Sequence, residues 1–175
     1  DGFGFIENLK QNCACFNVTT GPSVVIGSGG ASRAIVAALI KAGAPKVKLV
    51  NRTRSNAETL AEDIGGPIDV LDWSDRHDAM ADANLVTNTT SLGMAGNPPL
   101  ELSLDALPVD ALVNDIVYAP LETQLLKNAR AKGNPSVDGI GMLLHQARPG
   151  FAAWFGVEPE VTDELRRHVL SANRS

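Results

Sequence analysis

Cysteine is almost missing from this chain. Cys13 and Cys15 are the two present, one residue apart, a spacing that suits neither a disulfide nor a zinc knuckle. Two inert thiols in a reducing cytoplasm are the expectation, with no metal site. An excess of positive charge is missing too: 15 Lys and Arg against 20 Asp and Glu leave a net charge of −5. That balance gives no electrostatic case for nucleic acid or an anionic membrane as the main partner. No apolar run is long enough to span a bilayer, and no signal peptide, internal repeat or low-complexity segment is visible. The first residue, Asp1, is not methionine, so a fragment of a longer protein is expected. What remains is 175 residues, 44% apolar and 20% charged, the make-up of a soluble globular domain with a core of its own.

The organising stretch is Val24-Val25-Ile26-Gly27-Ser28-Gly29-Gly30-Ala31-Ser32-Arg33-Ala34. Three β-branched residues predict a short buried strand, and a helix follows with Ala31, Ala34, Ile35, Ala38, Leu39 and Ala42 on one face. Gly43 stands at its C-terminal cap and Pro45 just beyond. Between strand and helix, Gly27 permits a tight turn and Gly29 leaves room for a pyrophosphate against the backbone. The first helical N–H groups, which have no partners inside the helix, point at that anion. Ser32 stands at the third small position of a G-x-G-x-x-G pattern, where close helix–strand packing is needed. A purely steric loop is the plainer reading, and the flanking strand and helix argue against it.

Further strands are predicted at 47–50, 68–71, 84–88, 111–116 and 136–138. Ser55-Asn56-Ala57-Glu58 reads as a capping box opening a helix with Ala57, Leu60, Ala61 and Ile64 inward and Gly65 as its stop. Residues 121–132 read as a helix that buries Leu125, Leu126 and Ala129 and ends at Gly133. At the amino end, Asp1 caps a helix with Phe3, Ile6 and Leu9 inward. The carboxyl end is helical and carries Met142, Leu143, Ala147, Phe151 and Trp154, with a bend or break at Pro149-Gly150 and a last helix capped by Thr162. Strands alternating with helices imply an α/β fold: a Rossmann-type, doubly wound parallel sheet of about six strands with helices on both faces, plus C-terminal helices.

The end of the second strand meets the adenosine ribose in such a sheet, and an NAD enzyme usually has Asp or Glu there. This chain has Asn51-Arg52-Thr53-Arg54. Guanidinium groups attract and match a 2′-phosphate, so the sequence favours NADP over NAD. A basic surface turn is the plainer alternative.

With Asn-Arg-Thr in that position the chain resembles the shikimate dehydrogenase family. Four further groups of residues agree, in order: Asp1-Gly2-Phe3-Gly4-Phe5, Gly27-Ser28-Gly29-Gly30-Ala31, Asn88-Thr89-Thr90-Ser91-Leu92-Gly93-Met94, and Asp115 to Thr123 with its Tyr118-Ala119-Pro120. Asp138-Gly139-Ile140-Gly141-Met142-Leu143-Leu144-His145-Gln146-Ala147 is similar to the family's G-x-x-M-L-x-x-Q-A helix. The resemblance implies the NADP domain of a two-domain enzyme that reversibly reduces 3-dehydroshikimate to shikimate in aromatic amino-acid biosynthesis. Residues 1–22 would be a connecting helix and linker from the absent substrate domain, 23–138 the NADP-binding domain, and 139–175 the helices completing it.

By the same resemblance, Gly27, Ser28, Gly29, Gly30 and Ala31 would hold the pyrophosphate, and Asn51, Arg52, Thr53 and Arg54 the 2′-phosphate. Asn56 departs from the family, which often has a basic residue there. Ile116, Gly139 and Met142 would line the nicotinamide site, with Asn88 and Thr89 near the cofactor. Asp1 would be the catalytic aspartate and bind substrate with Tyr118 and Gln146. The catalytic lysine belongs to the absent domain, so the isolated chain is expected to bind NADP but turn over little. Asp1 as a mere cap, Tyr118 as turn packing and Gln146 as a solvent-facing residue are the plainer readings. His77, His145 and His168 read as non-catalytic, and Trp73 and Trp154 as core or edge packing. The expected partners are shikimate or 3-dehydroshikimate and the missing substrate domain, with a homodimer as one candidate assembly. Quinate or other shikimate-like dehydrogenases, and a non-catalytic NADP-binding module, are the alternatives.

Overall fold

The computed structural model describes residues 1–14 and 16–172, so the expectation for Cys15 lies outside the described residues; Cys13 is half-buried. Short apolar runs form β1 (Ser23–Ile26), β2 (Val47–Val50), β3 (Ile68–Leu71), β4 (Leu85–Asn88), β5 (Leu112–Asp115) and β6 (Ser136–Val137). Between and around them lie α1 (Gly2–Asn12), α2 (Gly30–Lys41), α3 (Arg54–Ile64), α4 (Gln124–Lys132), α5 (Ile140–Gln146), α6 (Arg148–Phe155) and α7 (Asp163–Ala172). The strands pair in parallel in the order β3-β2-β1-β4-β5-β6. This is the dinucleotide-binding order, with its switch point between β1 and β4.

Alternate residues of each strand face opposite sides. Val24, Ile26, Val86 and Val113 pack with Leu125, Leu126 and Ala129 of α4. Val25, Leu49, Leu85 and Leu112 pack with Phe5 and Leu9 of α1 and with Ile35 and Leu39 of α2. Among the described residues, no helix is long and apolar enough to cross a membrane.

Several local expectations shift. The buried face of α2 is Ser32, Ile35, Val36 and Leu39 rather than the alanine stripe, and Ala42 is exposed. The stop holds: Gly43 takes φ +95°, and Gly43 and Ala44 N–H donate to Ile40 and Leu39 O, a Schellman closure. The capping box at Ser55 does not form. The helix starts at Arg54 behind Thr53, and Glu58 turns to the Arg54 guanidinium instead. The predicted helix at 121 begins at Gln124, where the Thr123 hydroxyl caps Leu126 N–H.

In α1 the inward residues are Gly4, Phe5, Asn8 and Leu9, while Phe3 is 46% exposed. The reason is close approach. A Cβ on Gly4 would lie 2.5 Å from Met142 O, and one on Gly2 would lie 2.7 Å from Ala34 O. Small residues therefore turn toward α5 and α2, and Phe3 turns out. Past β6, the break falls at Ala147, with Pro149 in the first turn of α6. Helix α6 buries no residue: Phe151 is exposed, as is Ala147 ahead of the helix, and Trp154 is 81% exposed, so Trp154 is not core or edge packing. Trp73 is partly buried against the core, with Arg76 over its ring. Arg166 on α7 grips Asp138 after β6 through both terminal nitrogens, at 2.6 and 3.1 Å.

Candidate functional site

At the carboxyl ends of β1 and β4 the glycine turn meets the loop after β4. Gly27 has φ +111°, and a Cβ there would lie 2.8 Å from Thr89 Oγ1. The Ser32 hydroxyl donates to Gly27 O at 2.7 Å and also bonds Thr89, whose hydroxyl donates to Ile26 O at 2.7 Å. Ser32 is thus more than a small residue. It locks the turn to the strand beneath it. Above the turn the space is open: nothing lies within 4 Å of a Cβ built on Gly29 or Gly30. Gly29 is the N-cap of α2, and its carbonyl takes Arg33 N–H at 3.1 Å. The N–H groups of Gly30, Ala31 and Ser32 have no acceptor within the helix and sit at its positive end. The arrangement is a cradle for a phosphate-type anion.

Asn88 ends β4 and Thr89 follows it, at the carboxyl end of the sheet. Both are buried. The Asn88 amide donates to Leu92 O and Asp115 Oδ1, and its oxygen accepts from Thr90 N–H and Oγ1. With these bonds made, the Asn88 amide ties the loop after β4 to Asp115.

At the corner after β2 the four residues expected at the 2′-phosphate have different surroundings. Asn51 Nδ2 donates to Thr53 O at 2.8 Å, closing the turn. Arg52 is exposed and makes no ion pair or side-chain hydrogen bond among the described residues. Arg54 is fully engaged. Its Nε donates to Glu58 at 2.7 Å, Nη1 to Asp72 at 2.9 Å and Nη2 to Val70 O at 3.3 Å. The two arginines named together from sequence are therefore unlike: one open cation and one already paired.

A cleft of about 250 Å³ opens at the same end of the sheet as the cradle, lined by Asp1, Ile116, Tyr118, Gly139, Met142, Leu143 and Gln146. It gathers residues from the two ends of the chain. The Asp1 side chain makes no capping bond to α1. Tyr118 is 41% exposed, and neither its hydroxyl nor the Gln146 amide has a side-chain partner among the described residues. None of His77, His145 and His168 lines the cleft. His145 is buried between α1 and α6, beside Gln11 and Arg148, and burial followed by the Arg148 charge pushes its pKa down. A larger cavity, about 500 Å³, lies at the opposite end of the sheet and contains none of the site residues expected from sequence. In open α/β sheets the crevice at the carboxyl ends is the one that binds ligands. Among the described residues no group of three or more His, Cys, Asp or Glu could hold a metal ion.

One residue was missed by sequence reasoning. Asp115, at the end of β5, is 1% exposed. It accepts from Thr123 Oγ1 at 2.7 Å, Val117 N–H at 3.0 Å and Asn88 Nδ2 at 3.0 Å. Burial outweighs these donors and pushes its pKa from 3.8 up to about 6. The carboxyl staples the segment 115–123, which carries Ile116 and Tyr118 into the cleft. The available signal was an acid closing a strand otherwise buried on both faces, since such a group must find partners.

The chain is similar to known proteins in sequence and in fold. The family described as shikimate / quinate 5-dehydrogenase matches residues 10–94. The shikimate dehydrogenase (NADP(+)) of Paramagnetospirillum magneticum is 57% identical over 171 residues, 98% of this chain and 62% of that protein. That of Rhodospirillum rubrum is 55% identical over 174 residues, 97% of this chain and 62% of that protein. Quinate dehydrogenase from Corynebacterium glutamicum, solved with NAD, superimposes with a TM-score of 0.86 at 32% identity, over 97% of this chain and 60% of that one. Shikimate 5-dehydrogenase from Listeria monocytogenes, solved with shikimate and NAD, gives 0.84 at 29% identity, over 97% of this chain and 62% of that one. The chain spans about three-fifths of the length of the curated relatives it matches. On its ordered motifs, its strand order and these likenesses, the chain is similar over nearly its whole length to members of the shikimate dehydrogenase family.

Proposed function

We propose that this chain is the dinucleotide-binding part of a cytoplasmic NADP-dependent shikimate dehydrogenase, which interconverts 3-dehydroshikimate and shikimate. One observation carries the reading. The cleft lined by Asp1, Tyr118, Gln146, Ile116, Gly139 and Met142 opens at the same end of the sheet as the β1–α2 cradle. Bound there, NADPH would supply the hydride. The residues fit the cofactor, because the space over Gly29 and Gly30 is open and Arg52 is an unpaired cation beside it.

In this reading the N–H groups of Gly30, Ala31 and Ser32 hold the diphosphate. Arg52 takes the 2′-phosphate, with Asn51 and Thr53 shaping its turn. Ile116, Gly139 and Met142 form an apolar wall that orients the reacting ring and excludes water. Asp1 carries a free carboxylate to a substrate hydroxyl and to the proton route, while Tyr118 and Gln146 bind the remaining polar groups. The rest of the substrate site belongs to the additional length of the relatives, and the exposed apolar face of α6, with Phe151, Trp154 and Phe155, is where we dock it. Quinate remains an alternative substrate within the family.

Titration calorimetry of the 175-residue chain tests the reading. NADP is expected to bind. Arg52→Ala should weaken it about tenfold, roughly 1.5 kcal/mol for a charged hydrogen bond at an exposed site, and change NAD binding less than twofold. A chain that binds neither dinucleotide, or an Arg52→Ala chain that loses both equally, overturns the assignment.

A further inference from the structure

We propose that Glu58 and Asp72 are specificity-determining residues, which hold Arg54 away from the adenosine 2′-position and so weaken the preference for NADP over NAD. The inference rests on the dinucleotide-binding reading above. Its physical basis is the arrangement of charge after β2. All three nitrogens of the Arg54 guanidinium are spoken for, by Glu58 one helical turn along, by Asp72 past β3 and by Val70 O. Three acceptors from two elements fix the plane of the group. They hold it against the end of β3, while Arg52 makes no such bonds.

Charge and geometry act together. Two guanidinium groups at this corner are met by two carboxylates, Glu58 and Asp72, each about half exposed. Both acids lie within one or two hydrogen bonds of the corner, closer than the Debye length of about 8 Å at physiological salt. A phosphate dianion arriving there meets a corner with no net positive charge. Arg52 alone is left to favour it. NAD lacks that phosphate and meets no penalty from the acids. Arg54 could join Arg52 only by breaking its own pairs and leaving both acids beside the ligand.

The test compares dissociation constants of NADP and NAD for the 175-residue chain and three variants. Glu58→Gln with Asp72→Asn keeps the size of each side chain and removes both charges. It should raise the ratio of NAD to NADP dissociation constants about tenfold, mainly through tighter NADP. The same pair of substitutions together with Arg54→Ala should give back most of that rise, since the released guanidinium is then gone. Arg52→Ala should bring the ratio near one. A ratio that stays within twofold in the Glu58→Gln, Asp72→Asn chain overturns the proposal. So does a ratio that falls, which would mean the acids aim Arg54 at the phosphate. Failure of the unsubstituted chain to bind any dinucleotide would instead remove the functional reading beneath it. Thermal melts of each variant separate loss of fold from loss of selectivity.

Discussion

At pH 7 the Asp115→Asn chain is expected to be more stable than the unsubstituted one by about 2–3 kcal/mol, and the gap should close to well under 1 kcal/mol by pH 4. The sign follows from the direction of the shift. Burial raises the folded-state pKa of Asp115 from 3.8 to about 6. Below about pH 4 the carboxyl is protonated in both states and adds no penalty. Between about 4 and 6 the unfolded chain gives up the proton and the folded chain keeps it. Stability therefore falls as pH rises through that window, and above it the folded chain carries the full penalty of an ionised buried acid. Asparagine has nearly the same shape and no charge. Its oxygen can take the Val117 and Asn88 donors, and its Nδ2 can donate to a reoriented Thr123 hydroxyl. Urea unfolding of both chains at pH 4 and pH 7 is the measurement, and the difference between the chains cancels every other titrating group. A gap that widens in favour of aspartate toward pH 7 would mean that the three donors outweigh desolvation.

A buried acid that weakens the fold at neutral pH needs a reason to be there. Asp115 binds the β4 loop through Asn88, its own loop through Val117, and the start of α4 through Thr123. It thereby sets where Ile116 and Tyr118 stand in the cleft. No single neutral side chain supplies three acceptor sites so fully.

The frame of the fold was legible because it rests on local rules. Short apolar runs marked every strand within two residues, and Gly43, Gly65 and Gly133 stop their helices with positive φ. The cleft was legible through the resemblance, which named Asp1, Ile116, Tyr118, Gly139, Met142 and Gln146 before any geometry joined them. What escaped depends on distant partners. Glu58 has a capping-box position, but it pairs with Arg54, and the neighbour that decides this, Asp72, lies past β3. Asn88 looks available at a strand end until Thr90, Leu92 and Asp115 claim its amide. Phe3 and Trp154 fit apolar helical faces, yet α1 buries its glycine side and α6 buries none of its residues. Periodicity says that a face is apolar. It does not say which neighbour comes close enough to cover it.

Gly139→Ala should be the most damaging single methyl in the site, destabilising the chain by about 3 kcal/mol and weakening dinucleotide binding in what remains folded. The backbone at Gly139 is right-handed helical, φ −82° and ψ −16°, so conformation would accept alanine without strain. Contact would not. The new Cβ would lie 2.1 Å from Ile116 O and 2.4 Å from Ile116 C. Neither wall can step aside easily. Ile116 N–H is held by Asn88 O at 3.1 Å, and Asp138, next to Gly139, is held by Asn8 at its carbonyl and by Arg166 at its carboxylate. The methyl must pry β5 from the β6–α5 junction, and both displaced residues line the cleft. Gly150→Ala is the control. It lies in α6 with nothing within 4 Å of its Cβ, and helix propensity alone should make it stabilising by about 0.5–1 kcal/mol. Chemical unfolding of the two variants beside the unsubstituted chain reads the difference directly. Equal stabilities for both would mean that the close approach of Ile116 and Gly139 is not what holds the cleft in shape.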